Sequence, residues 1–154
     1  MKQKITPFLW FDKGKAREAA NFYSEVFKDS KINNPEQFSD TPSGDIEIVT
    51  IELFGQQFTL MGAGPEFKFN ESISFVVDCD GQEEVDYYWN ALTKEGEESQ
   101  CGWLKDKFGV SWQIIPRQLN ELMAKDTSGR VMQCMLGQKK IVISELESAH
   151  KGNS

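Results

Sequence analysis

A chain of 154 residues is long enough to bury one core without disulfide or metal staples, and its 39% hydrophobic and 12% aromatic content is too rich for a disordered polymer. A net charge of −7 opposes the basic surface that nucleic acid needs, and no apolar run approaches the roughly 18 residues of a membrane span. Cys79, Cys101 and Cys134 form an odd set without C-x-x-C spacing, which fits reduced thiols better than a disulfide framework or a zinc site. Lys2 and Lys4 open the chain but no apolar h-region follows them, so the expectation is a single cytoplasmic domain over residues 1–154 with neither nucleic acid nor membrane as partner.

In chain order, Ile5 to Phe11 is an apolar run of strand length, punctuated by Asp12 and Gly14. Ala16, Ala19, Ala20, Tyr23, Val26 and Phe27 then recur at spacings of three and four, which predicts a helix over about Lys15 to Lys28. Asp29 to Ser43, with two asparagines and two prolines, reads as a loop. Ile46 to Leu53 makes a strand, Gly55-Gln56 a tight turn, and Phe58 to Met61 the returning strand.

The order begins again at Ser72 to Asp78, a strand, followed by a helical stripe of Val85, Tyr88, Trp89 and Leu92. Asp80 and Glu83 stand where a capping pair belongs and Gly96 where a helix stops. A strand near Gln100 to Lys105, a turn at Lys107 to Gly109 and a strand from Val110 to Ile115 complete the second copy. An offset of 66 residues superposes Ala19 on Val85, Phe22 on Tyr88, Tyr23 on Trp89 and Val26 on Leu92, which points to an internal repeat. Module one covers about residues 1–66, module two about 67–116, and a helical tail 117–154, in which the methionines read as gap-filling core.

Three segments carry a family resemblance: Pro7-Phe-Leu-Trp-Phe11, Ala19-Ala-Asn-Phe-Tyr-Ser-Glu-Val-Phe27, and Cys101 to Pro116 with its Lys-Asp-Lys-Phe-Gly-Val-Ser-Trp-Gln core. The chain resembles the PhnB-like branch of the vicinal oxygen chelate superfamily, whose members are often labelled 3-demethylubiquinone-9 3-methyltransferase. The resemblance implies an α+β glyoxalase/bleomycin-resistance fold, two βαβββ modules whose curved open sheets surround a cavity, commonly in a homodimer. Metal-using members place His or Glu on the strands lining that cavity. The matching positions here fall on Phe8, Ser72, Gln113 and either Leu60 or Met61, none of them an imidazole or carboxylate, so no metal and no cofactor is expected.

His150, the sole histidine, lies in a polar tail, where a frayed surface role is expected rather than ligation or base catalysis. Methyl transfer from S-adenosylmethionine uses a Gly-rich turn between a strand and a helix, and Gly62-Ala63-Gly64 is followed by Pro65 and a strand instead. Strand alternation turns Phe8, Trp10, Ser72, Ser74, Ser111 and Gln113 toward the cavity, with Met61 and Trp103 beside them. Pro7, Leu9, Phe11, Ile73, Phe75, Trp112 and Ile114 then face the helices. The cavity set mixes aromatic surface with hydroxyl and amide groups, which suits a small, partly aromatic ligand. The reading is a metal-free small-molecule binding module. The alternative is a superfamily enzyme, an isomerase, lyase or transferase, using carboxylates such as Asp12 or Glu52.

Overall fold

The computed structural model of the protein describes residues 2–152, which divide between Lys68 and Phe69 into two compact units. In the first, β1 (Phe8–Phe11) leads to α1 (Lys15–Val26), then β2 (Ser30–Ile32), β3 (Glu36–Thr41), β4 (Gly44–Leu53) and β5 (Gln56–Gly62). β1 pairs parallel with β5, β5 pairs antiparallel with β4, and β2 and β3 share the far edge of β4. The stripe of Ala16, Ala19, Ala20, Tyr23 and Val26 is buried, as are Val49, Ile51, Leu53, Phe58 and Leu60, the same-face residues of the strands that α1 covers. One helix therefore closes one face of the sheet.

Two details of the first unit depart from the pattern reading. The stretch expected as a loop contains β2 and β3, whose residues are mostly exposed. An edge strand wet on both faces has no reason to alternate, so periodicity does not reveal it. The β4–β5 turn is made by Phe54 and Gly55, with φ of 51° and 78°, one residue earlier than expected. Two successive positive φ values match the right-handed strand twist of a tight hairpin. Phe54 bears that conformation with its ring edge-on to Phe27 at 6.0 Å and its N–H donated to Asp29 O.

The second unit repeats the plan with β6 (Ser74–Cys79), α2 (Gln82–Thr93), β7 (Glu97–Glu98), β8 (Trp103–Lys105) and β9 (Ser111–Pro116). Its sheet runs β6-β9-β8-β7, and the first and last strands again pair in parallel. Val85, Tyr88, Trp89 and Leu92 of α2 are buried, with Leu104, Trp112 and Ile114 of the strands. The helix start differs from expectation: Gly81 is the N-cap, and Glu84 rather than Glu83 reaches back to accept the Asp80 N–H. Asp80 instead turns its carboxylate to Arg117 and Gln118. Gly96 follows the helix, but Glu95 takes the left-handed conformation there. Gly96 is required for closeness, since a Cβ on it would lie 2.2 Å from Lys105 O.

The tail forms α3 (Arg117–Lys125), α4 (Arg130–Leu136) and α5 (Ile143–Lys151) around Leu119, Val131, Ile141 and Leu146. Met123 and Met135 pack there, whereas Met132 and Leu136 are exposed and are not core. Gln82 ties this tail to α2: its amide donates to Ile141 O and Asp86 Oδ1, and its oxygen accepts from the Ile143 N–H. His150 is not frayed. It sits in the last turn of α5 with Nδ1 3.5 Å from Asp126 Oδ1.

Asp126 accepts from the Ser128 hydroxyl at 2.7 Å and from the Val131 N–H at 3.2 Å. The Ser128 hydroxyl foremost, with the backbone N–H groups and His150, holds its carboxyl down at about 2 against an ordinary 3.8. A folded value below the free one adds stability that is present above pH 3.8 and lost as pH falls toward 2. Asp126→Asn should therefore lower the melting temperature at neutral pH and show a shallower decline on acidification. Melts of both proteins across the acid range check this; parallel curves would remove Asp126 from the acid limb.

Candidate functional site

The face of the first sheet opposite α1 follows from register. Phe8 and Trp10 stand beside Thr59 and Met61, and these in turn beside Thr50 and Ile48. Phe8 is 56% exposed, while Phe11 on the other face is buried. Leu9 lies on the helix face as expected but is only partly buried. Trp10 is held by two contacts: its indole N–H donates to Gly64 O at 2.9 Å, and Phe67 meets its ring edge-on at 4.9 Å. Phe8, Trp10 and Met61 thus form one aromatic and thioether surface, extended by the exposed Phe67, which sequence reading left out.

On the second sheet, cross-strand pairing sets out two rows on the face opposite α2. One row is Ser74, Ser111, Lys105 and Glu97; the next is Val76, Gln113 and Trp103. Gln113 Nε2 donates to Ser74 Oγ at 2.9 Å across the rows. Four expected residues, Ser74, Trp103, Ser111 and Gln113, therefore share this face. Ser72 does not join them: it is exposed in the turn before β6, where its N–H is donated to Asn70 Oδ1. Ile73 beside it is 71% exposed and does not face the helix, because the strand begins two residues later than the alternation assumed.

A cavity of about 140 Å³ opens on this face, lined by Glu71, Glu97, Glu98, Trp103, Lys105 and Ser111 among others. Lys105 Nζ pairs with Glu71 Oε1 at 2.8 Å. That hydrogen bond raises the ammonium above its ordinary range and lowers the carboxyl below its own. The carboxylates at Glu71, Glu97 and Glu98 are not singled out by the sequence, since each stands in a polar run with the pattern of a solvated surface.

Residues 3–115 match the family described as 3-demethylubiquinone-9 3-methyltransferase. A Bacillus cereus PhnB protein, titled a putative 3-demethylubiquinone-9 3-methyltransferase, is 32% identical with a TM-score of 0.66, over 74% of this chain and 99% of that one. The chain belongs to this PhnB-like family of the vicinal oxygen chelate superfamily. The fosfomycin resistance protein FosX of Mesorhizobium loti has a TM-score of 0.57 at 13% identity, over 80% of this chain and 98% of that one. FosX of Listeria monocytogenes, in a structure holding Mn(II) and 1S,2S-dihydroxypropylphosphonic acid, has a TM-score of 0.52 at 14% identity, over 74% and 92% of the respective chains. These two share the glyoxalase/bleomycin-resistance fold. No curated protein matches the sequence.

Phe8, Ser72 and Gln113, the positions matched to the ligands of metal-using members, do not offer the donors that a divalent metal needs. Phe8 presents only carbon, Ser72 has left the strand, and the amide nitrogen of Gln113 is committed to Ser74, leaving one weak amide oxygen. Among the described residues, no group of three or more His, Cys, Asp or Glu side chains is placed to hold a metal ion. No metal-bound step fits these residues. Nor is Cys79 an available nucleophile, because burial pushes its thiol up to about 12.

Asp106, in the turn that joins β8 to β9, is the polar residue that sequence reading missed. Buried after β8, its Oδ1 accepts from the Phe108 and Val110 N–H groups at 2.9 and 3.1 Å, and its Oδ2 from Trp112 Nε1 at 2.9 Å. An amide in its place would set an N–H against a donor, so Asp106→Asn should cost about 2 to 3 kcal/mol, the range of a charged hydrogen bond lost in a buried site. Urea denaturation followed by tryptophan fluorescence measures it; a midpoint equal to the wild type would show the loop to be self-supporting.

Proposed function

We propose that this PhnB-like protein is a metal-independent binding module for a small, partly aromatic molecule, with each open sheet face a candidate surface for it. The observation that carries this is the composition of those faces. Phe8, Trp10 and Met61 on one sheet, and Ser74, Ser111, Gln113 and Trp103 on the other, pair stacking area with a few oriented hydroxyl and amide groups. The same positions lack metal donors, so recognition rests on shape, stacking and hydrogen bonding. FosX of Listeria monocytogenes, with Mn(II) in its structure, shares the fold at 14% identity, and its metal does not carry over to these residues. Methyl transfer receives no support either: after Gly62 the chain runs through Ala63 and Gly64 toward β6 without a helix to receive a nucleotide.

Protein purified without an affinity tag should contain far less than one equivalent of manganese, zinc or iron by elemental analysis, and native mass spectrometry should show a retained small molecule. Phe8→Ala should diminish that adduct while leaving stability within about 0.5 kcal/mol, because Phe8 is 56% exposed. A full equivalent of metal that disappears in Gln113→Ala would overturn the reading.

We also infer a homodimer. Phe38 and Phe67 in one unit and Ile73 and Val76 in the other are large apolar side chains left exposed, which supports burial against a second copy. Sedimentation at micromolar concentration should give twice the chain mass of 17.6 kDa. A monomer at that concentration would refute the assembly.

A further inference from the structure

The cavity on the second sheet has a charge bias and an unmet hydrogen bond that the general reading leaves unused. Three carboxylates, Glu71, Glu97 and Glu98, line it against one ammonium, Lys105. Lys105 is already paired with Glu71, and Glu98 accepts the Trp89 indole N–H at 2.9 Å. That leaves Glu97, cross-strand neighbour of Lys105, as the carboxylate with no hydrogen bond drawn from the wall. Two strands along the same row, on the other side of Lys105, lies Ser111, 2% exposed, whose hydroxyl oxygen is buried without a partner. A buried hydroxyl left unpaired costs about 1 to 3 kcal/mol, and the cavity it lines is where the missing partner would sit. Trp103 supplies the apolar wall.

A ligand for this place needs donors and positive charge at one end and a flat or apolar body at the other. An ammonium has three N–H donors and no acceptor, so it can donate to the Ser111 hydroxyl while the long Glu97 side chain on the same face supplies the opposite charge, and the Trp103 ring face attracts a cation. A carboxylate or phosphonate would meet the surplus of negative charge and would have to draw Lys105 away from Glu71. We propose that the cavity formed by Glu97, Ser111 and Trp103 binds the amino group of a small primary amine with an aromatic or apolar body. The proposal rests on the open-face reading above and names the ligand class for one of its two faces.

Three probes of similar size separate the outcomes: benzylamine, benzoate and benzyl alcohol, each titrated into the isotopically labelled full chain and followed by backbone amide and tryptophan indole shifts. Benzylamine should move the signals of Glu97, Trp103, Lys105 and Ser111, at least tenfold more tightly than benzoate or benzyl alcohol. Glu97→Gln, which keeps the side-chain shape, should weaken benzylamine about tenfold and leave benzyl alcohol unchanged; about tenfold in affinity corresponds to the loss of one charged contact. Ser111→Ala should weaken benzylamine further, with the spectrum elsewhere unaltered as the check on folding. If benzoate or benzyl alcohol binds here as tightly as benzylamine, the amine assignment falls while the open-face reading stands. Shifts at Phe8 and Trp10 without any at Ser111 overturn the amine assignment in the same way, with Ser111 then satisfied by water. If none of the three moves a residue on either open face, both readings fail together.

Discussion

At Gly62 the first helix comes so close to the sheet that a Cβ there would lie 3.4 Å from the Cβ of Ala16 and 3.3 Å from Asp12 O. Small residues on both sides permit that approach: glycine on β5, and alanines at 16, 19 and 20 on α1, all buried. Close contact removes water from the Val49, Ile51 and Leu60 face, and the burial of apolar area there holds the unit together. Since side chains alternate along a strand, the same step commits Phe8, Trp10, Met61 and Ile48 to the opposite face. The open face is thus a by-product of the core. A register slip of one residue would exchange the two sets and lose both.

The second unit solves the same problem with different volumes. In place of alanines, α2 brings Tyr88, Trp89 and Leu92 to the sheet, and the large indole extends to the edge strand β7, where its N–H reaches Glu98. Filling this core with tryptophans brings polar demands, because each buried indole N–H needs an acceptor. Glu98 answers for Trp89 and Asp106 for Trp112, so two acids near the cavity are explained by packing rather than chemistry. Glu97 and the unpaired Ser111 hydroxyl are not explained that way. A site is better sought among the polar groups that remain after the core has claimed its own.

How much of this was legible in the chain depends on how a residue is buried. Both helices show because their stripes face a dry core on one side only, and the parallel pairing of first and last strands agrees with the repeat suggested by Ala19 and Val85, Tyr23 and Trp89, or Val26 and Leu92. Alternation also put Ser74, Ser111 and Gln113 on the same side of their strands, and Phe8 and Trp10 on the same side of theirs, as the pairing has them. It failed at Ser72 and Ile73, where the pattern runs on past the start of the pairing. β2 and β3 left no pattern because they are wet edge strands. Asp106 could be read only as one more acid in a polar turn, since its role depends on an indole six residues later turning back to it. Gly96 passed for a helix stop, although the constraint on it is a carbonyl nine residues away.

The metal positions show why a shared fold and a shared chemistry are separate inferences. In this fold a strand position that could hold a ligand is defined by backbone geometry, and the geometry is kept whatever side chain stands there. Here the last-strand position keeps a polar residue, Gln113, yet its amide bonds sideways to Ser74 within the sheet. That bond uses the donor end of the amide and fixes its direction, so the pair acts as a rigid polar floor rather than a free ligand. A floor of this kind can orient a ligand's hydroxyl or amine but cannot polarise a bond as a cation would. With carboxylates gathered at the β7–β8 side and an amide–hydroxyl pair beside them, that face can select a partner by charge and shape.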